Sequence, residues 1–120
     1  MNDFHILAGR GAAACLTLTG VSKVLALAPM IERAHHLGFS VPEFRLIGVA
    51  ELAGATGLVA GERNPRIGAA AAASLCAVMI GACTAHLRTG DRWLSAAPAA
   101  VVGVATAFTA TGFVARVRAR

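Results

Sequence analysis

Lys23, Glu51 and His86 are the residues of this sequence whose types and placement suit proton chemistry. A carboxyl and an imidazole act as acid or base, and a lysine within reach holds a carboxylate charged. Glu51 stands out because it interrupts "IGVAELAGATGLVAG", Ile47 to Gly61, a stretch otherwise apolar enough for lipid. An ionised carboxylate near mid-membrane costs about 2.5–3.5 kcal/mol on insertion scales, so Glu51 is expected to face a bundle interior and find a partner there, or stay protonated. Lys23 is the expected partner by depth, and His86, in "MIGACTAHLRTGD", is placed to accept or supply a proton from above.

Helices must carry these groups. The chain has 120 residues, 57% of them hydrophobic and 14% charged, well away from the roughly 25% charged average of soluble domains. Ile67 to Ala85 and Trp93 to Ala115 contain no Asp, Glu, Lys or Arg, and each passes the roughly 18-residue threshold for a spanning helix. Two more segments reach that length by tolerating charge, with Arg10 and Lys23 in one and Arg45 and Glu51 in the other. The expectation is an all-α integral membrane four-helix bundle forming a single domain over 1–120, with spans at about 6–28, 43–61, 66–87 and 94–115. Pro29 to Leu37 reads as a short interfacial helix between spans 1 and 2, proline at its start and Gly38 just past its end. Pro42 opens the second span, Asn64 and Pro65 the third, and Pro98 starts or kinks the fourth. "VLALAP" only loosely resembles a secretory cleavage site, and the first span is expected to be retained.

At about 1.5 Å per residue, Glu51 lies roughly 13 Å in from Pro42 and Lys23 roughly 8 Å in from Ala28, both measured from the same membrane face. Ala50, Gly54, Gly57 and Gly61 form a small-residue stripe beside Glu51, expected to pack closely on another helix. Leu75, Met79, Ala82 and His86 share a face of the third span. Trp93, Arg88 and Asp91 are expected at the membrane interface, Trp93 as an aromatic anchor.

Other chemistries lack their signatures. There is no C-x-x-C-H, no C-x-x-C and no glycine fingerprint after a strand. Cys76 and Cys83 are seven residues apart on one helix, roughly 10 Å distant, too far for a disulfide; Cys15 and Cys76 share a depth and can meet across helices, with buried apolar filler as the default role. Adjacent His35 and His36 point apart and lack a third ligand at diagnostic spacing, so surface solvation is expected and no metal site. The net charge of +5 comes from the span flanks and the tail "ARVRAR", without a basic stripe interleaved with aromatics, so nucleic acid is not an expected partner. Six basic residues (Arg10, Arg63, Arg66, Arg116, Arg118, Arg120) flank the side of the termini and five (Lys23, Arg33, Arg45, Arg88, Arg92) the other, a lean toward cytoplasmic termini in a multi-pass cell-membrane protein.

Three blocks, "GVSKVLALAPM", "LGFSVPEFRLIGVAELAGATGLV" and "MIGACTAHLRTGD", in this order and within nearly the whole chain, resemble the DoxX-like family of small four-helix membrane proteins. Carried over, the family's polar positions fall on Lys23, Glu51 and His86. The resemblance implies the four-helix fold and an association with redox complexes, the family name coming from a subunit linked to thiosulfate:quinone oxidoreduction; many members have no established activity.

Two roles follow. One is a non-enzymatic scaffold or accessory subunit of a membrane complex, its small-residue faces contacting other membrane proteins or a second copy, and the Lys23–Glu51 pair fixing helix register around a buried polar pocket. The alternative is a redox-associated subunit in which the pocket holds a quinone-like ligand and Glu51 or His86 exchanges protons, with electrons supplied by a partner. No cofactor site is evident and no catalytic motif is complete. Transport is the weakest idea, for want of a broken span or internal repeat.

Overall fold

Three of the five helix starts in this chain are capped by side chains. The Asn2 side chain accepts from the His5 amide while His5 returns a bond to the Asn2 backbone, and Ser40 and Glu43 repeat that reciprocal box at a second start. Asn64 caps a third, and prolines occupy the first turn at Pro29, Pro42 and Pro65, where the missing amide hydrogen is not needed. The computed structural model describes all 120 residues and contains five helices and no strand. They are α1 (Asp3–Val24), α2 (Ala28–Leu37), α3 (Val41–Gly61), α4 (Pro65–Arg88) and α5 (Trp93–Arg118).

α1, α3, α4 and α5 are each long and apolar enough to cross a bilayer. Only 24 of 120 residues are buried, and large apolar side chains such as Phe4, Leu18, Ile80 and Val104 point outward. Water would penalise that surface; lipid does not. Outward hydroxyls are handled in the way a bilayer demands, since Thr17, Thr56, Ser74 and Thr84 donate to their own i−4 carbonyls at 2.7 to 2.9 Å. Thr106 and Thr109, fully buried in α5, donate to the i−3 carbonyl of Gly103 and the i−4 carbonyl of Ala105.

Two boundaries differ from the sequence expectation. α1 stops at Val24 rather than near Ala28, because Ala26 takes a positive φ of 49° and Pro29 is already in the first turn of α2. Lys23 is therefore in the last turn of its helix, not several ångströms inside it. α5 begins at Trp93 and carries Pro98 within it.

Glycines set how closely the helices approach. α1 and α3 touch where Gly20 meets Gly48, and α3 and α4 where Gly54 meets Leu75, Gly57 meets Ala71 and Gly61 meets Gly68, with Phe113 of α5 wedged against Gly61 and Gly68. α5 returns to α1 where Gly9 meets Thr109 and Gly112 meets His5, and it stays on α4 up to Gly103 and Met79. The α3–α4 and α1–α5 contacts are all on the terminus side. Toward the other end the α1/α3 pair and the α4/α5 pair separate, and α2 lies across the gap.

Candidate functional site

The gap is an open cavity of about 820 Å³, within the roughly 300–1,000 Å³ typical of small-molecule sites. Its α1/α3 wall carries Leu16, Thr19, Lys23, Phe44, Ile47 and Glu51. Its α4/α5 wall carries Val78, Met79, Ala82, His86, Asp91 and Val102, and α2 contributes Glu32, Arg33, His36 and Leu37 above. Exposed Cys15, Gly81, Leu94 and Pro98 also line it, so it opens sideways where lipid would lie.

The first polar station is on the α1/α3 wall. Phe44, Gly48, Glu51, Ala55 and Leu58 recur at helical spacing on the buried face of α3, and the glycine at 48 brings the backbone against α1 opposite Gly20 and the Lys23 Cβ. One turn further in, Glu51 is 2% exposed. Lys23 Nζ donates to Glu51 Oε1 at 2.5 Å and Thr19 Oγ1 to Glu51 Oε2 at 3.1 Å, so both carboxylate oxygens have partners. The ammonium also lies 5.2 Å from the centroid of the Phe44 ring, a distance at which the ring face attracts a cation. Thr19 was not singled out from the sequence; the signal was its position four residues before Lys23, on the same helix face.

The second station is on the α4/α5 wall. His86 does not contact Glu51. Its Nδ1 lies 2.6 Å from Asp91 Oδ2, and His36 Nε2 lies 2.6 Å from Asp91 Oδ1. His86, and to a lesser degree His36, hold the Asp91 carboxyl below its ordinary range by hydrogen bonding to the charged form. An ionised carboxylate only accepts, so both facing nitrogens carry hydrogen. His36, expected to be a solvated surface residue, is exposed and also bridges to Asp91; Asp91, expected at the membrane interface, is the shared acceptor in the α4–α5 loop. His35 remains exposed, as do Arg88 and Trp93.

Of the small-residue stripe, Gly54 and Gly61 are buried and Gly57 half-buried against α4, but Ala50 is exposed. By that turn α4 has already diverged, and Gly48 on the α1 side makes the close approach instead. Cys15 and Cys76 do not meet. Cys76 faces α5, where its thiol donates to the Gly103 carbonyl at 3.4 Å, and all three cysteines are free.

At the opposite, terminus-side end, Arg10 pairs with Glu62 through two bonds of 2.8 and 2.9 Å, and Arg116 donates to the Glu62 carbonyl at 3.0 Å. This cluster closes the bundle where the glycines have drawn it tight and surrounds almost no open space.

Four apolar spans, two of them joined by a buried ion pair, define a small multi-pass α-helical membrane protein in contact with the bilayer. Residues 9–113 match the DoxX-like family, and the chain belongs to it. No curated protein and no solved structure matches the chain.

Proposed function

We propose that this protein is an accessory subunit of a membrane redox complex and holds a quinone-like ligand in the cavity between its two helix pairs. The observation that carries this reading is one 820 Å³ cavity, laterally open, with an acid–base station on each of two facing walls. A quinone has a flat apolar ring with oxygens on opposite edges, and its tail belongs in lipid. Lys23 offers a donor from one wall and His86, when protonated at both ring nitrogens, a second from the other; Met79, Val102 and Ile47 offer apolar surface between, and the lateral opening gives the tail a path.

Reduction of a quinone to the quinol takes up two electrons and two protons. The electrons come from a partner protein, and this chain supplies proton exchange through Glu51 on one side and His86 on the other, as suits groups held beside a reacting oxygen. Exposed Gly11 and Gly81, where a Cβ would meet nothing in this chain, support helix contact with such a partner or a second copy. With ion-paired Lys23 left out on one side and ion-paired Arg10 on the other, five basic residues flank the terminus side against four opposite, a lean that supports cytoplasmic termini.

The test is a titration of the purified protein in lipid nanodiscs with a decyl-tailed benzoquinone, alongside extraction of co-purifying quinones. Saturable binding that weakens in both Glu51→Gln and His86→Ala is the expected result. Absence of saturable binding in the wild type would remove the ligand reading and leave a scaffold whose Lys23–Glu51 pair only sets helix register. Reporter fusions at the C-terminus check the orientation.

A further inference from the structure

We propose that Asp91 is a shared catch: accepting from His36 on α2 and from His86 on α4, it ties the seating of α2 over the cavity to the orientation of the imidazole inside it. The proposal builds on the reading that the cavity takes a ligand, though its geometry involves this chain alone.

α2 has the anatomy of a movable cover. It buries a single residue, Ala34, and is bounded by two positive-φ positions, Ala26 at 49° and Gly38 at 83°. Both lie in the short connections at its ends, and loop or element-terminal residues are where hinge rotation is absorbed. Its other ionisable side chains, Glu32, Arg33 and His35, make no ion pair. The His36–Asp91 bond is the one side-chain hydrogen bond from α2 to another element, and it reaches across the gap to the α4–α5 loop. With α2 seated, Glu32, Arg33, His36 and Leu37 roof the cavity.

The same carboxylate positions His86. Because Oδ2 accepts from Nδ1, the proton of a neutral His86 ring is held at Nδ1, and Nε2 is left as the lone-pair nitrogen with no partner in the protein. When α2 lifts, Oδ1 loses its donor, the carboxylate is free to rotate, and the constraint on the His86 ring relaxes. Asp91 is thus a positioning residue for His86, and α2 decides when the cavity exchanges protons with water.

The test uses full-length protein in nanodiscs, where acyl chains block the lateral openings. Ala82, half-buried on the cavity wall, is replaced in the variant Ala82→Cys after the three native cysteines are changed to alanine, and modification by a charged, membrane-impermeant thiol reagent is timed. Adding His36→Ala is expected to raise the rate about threefold to tenfold, the opening expected on losing one hydrogen bond to a charged group at a partly exposed site. His36→Gln, which keeps a donor, is expected to restore most of the protection. In ¹⁵N-histidine spectra, Asp91→Asn is expected to move His86 from the Nδ1–H form toward a tautomer mixture, and His36→Ala to move it part of the way. Wild-type labelling in His36→Ala, or an unchanged His86 spectrum in Asp91→Asn, overturns the proposal. Neither readout involves a quinone, so failure of the titration above would leave both results standing.

Discussion

Lys23 closes the last turn of α1 and Glu51 lies at the middle of α3, yet their charged atoms are 2.5 Å apart because Gly20 and Gly48 let the two backbones touch one turn away. The pair is largely buried on the cavity wall, with side-chain exposures of 11% and 3%. Breaking a buried pair leaves an uncompensated charge and costs about 3–5 kcal/mol, whereas removing both charges is often neutral. Glu51→Ala is expected to lower the thermal midpoint in detergent sharply, and Glu51→Gln combined with Lys23→Met to recover much of the loss. Equal damage in the double variant would mean that the two residues act separately.

The Arg10–Glu62 pair makes a contrasting case. It has good two-bond geometry, but the Arg10 side chain is 65% exposed and Glu62 28%. Exposed pairs contribute about 0–1 kcal/mol and are screened by salt. Glu62→Gln is expected to shift the midpoint only slightly, and less at high salt. A loss as large as that from Glu51→Ala would contradict the ranking by burial.

Asp91 makes stability depend on acid. Its carboxyl titrates lower folded than its ordinary value of 3.8, first because of His86 and then His36. The unfolded chain therefore takes up the proton first as pH falls. The contribution is complete above the ordinary value and disappears as pH drops through the lower folded one. His36, Glu32 and Arg33 from α2, His86 and Arg88 from α4 and Arg92 of the loop itself are the ionisable groups around Asp91. Thermal midpoints of wild type and Asp91→Asn, followed into the acid range, are expected to converge as pH falls. A constant gap between the curves would show that the Asp91 charge is not what stabilises the fold there.

How far the sequence alone reached depends on which physical rule governed each residue. Charge-free length located the last two spans and apolar length with a few tolerated charges the first two, while prolines and caps, which act within a few residues of chain, marked the starts of α2, α3 and α4. The Lys23–Glu51 contact was legible for a related reason, since the energetic penalty of a charge in lipid narrows its options to pairing inside the bundle or taking a proton. Ala50 was misplaced because a small-residue stripe specifies a face but not the level at which two helices part; the separation of α3 from α4 is set by Gly54, Gly57 and Gly61 on one side and the Gly20–Gly48 contact on the other. The His36–Asp91–His86 bridge was hidden for another reason. His36 is exposed on α2, Asp91 is loop-borne 55 residues away, His86 is half-buried in the last turn of α4, and the three are joined only by the way α2 folds back over the gap. Nothing about a histidine pair on a short polar helix distinguishes bridging from solvation until the opposite loop is placed beside it.

Those close approaches can be tested directly. A Cβ on Gly48 would stand 2.8 Å from the Gly20 carbonyl oxygen and 2.8 Å from the Lys23 Cβ, neither of which is the loose end of a side chain. α1 must back away, and the shift bears on the Lys23–Glu51 contact one turn further in. Gly11 is on the same helix as Gly20 but faces outward, and a Cβ there meets nothing. Gly48→Ala is expected to cost about 1–3 kcal/mol through overpacking, partly offset by the better helix propensity of alanine. Gly11→Ala, with no clash to offset, is expected to be neutral or stabilising by up to about 1 kcal/mol. Unfolding midpoints of the two variants in the same detergent decide the matter. If Gly48→Ala proved as harmless as Gly11→Ala, α1 and α3 would not be in contact at this level, and the register that brings Lys23 to Glu51 would have to come from elsewhere in the bundle.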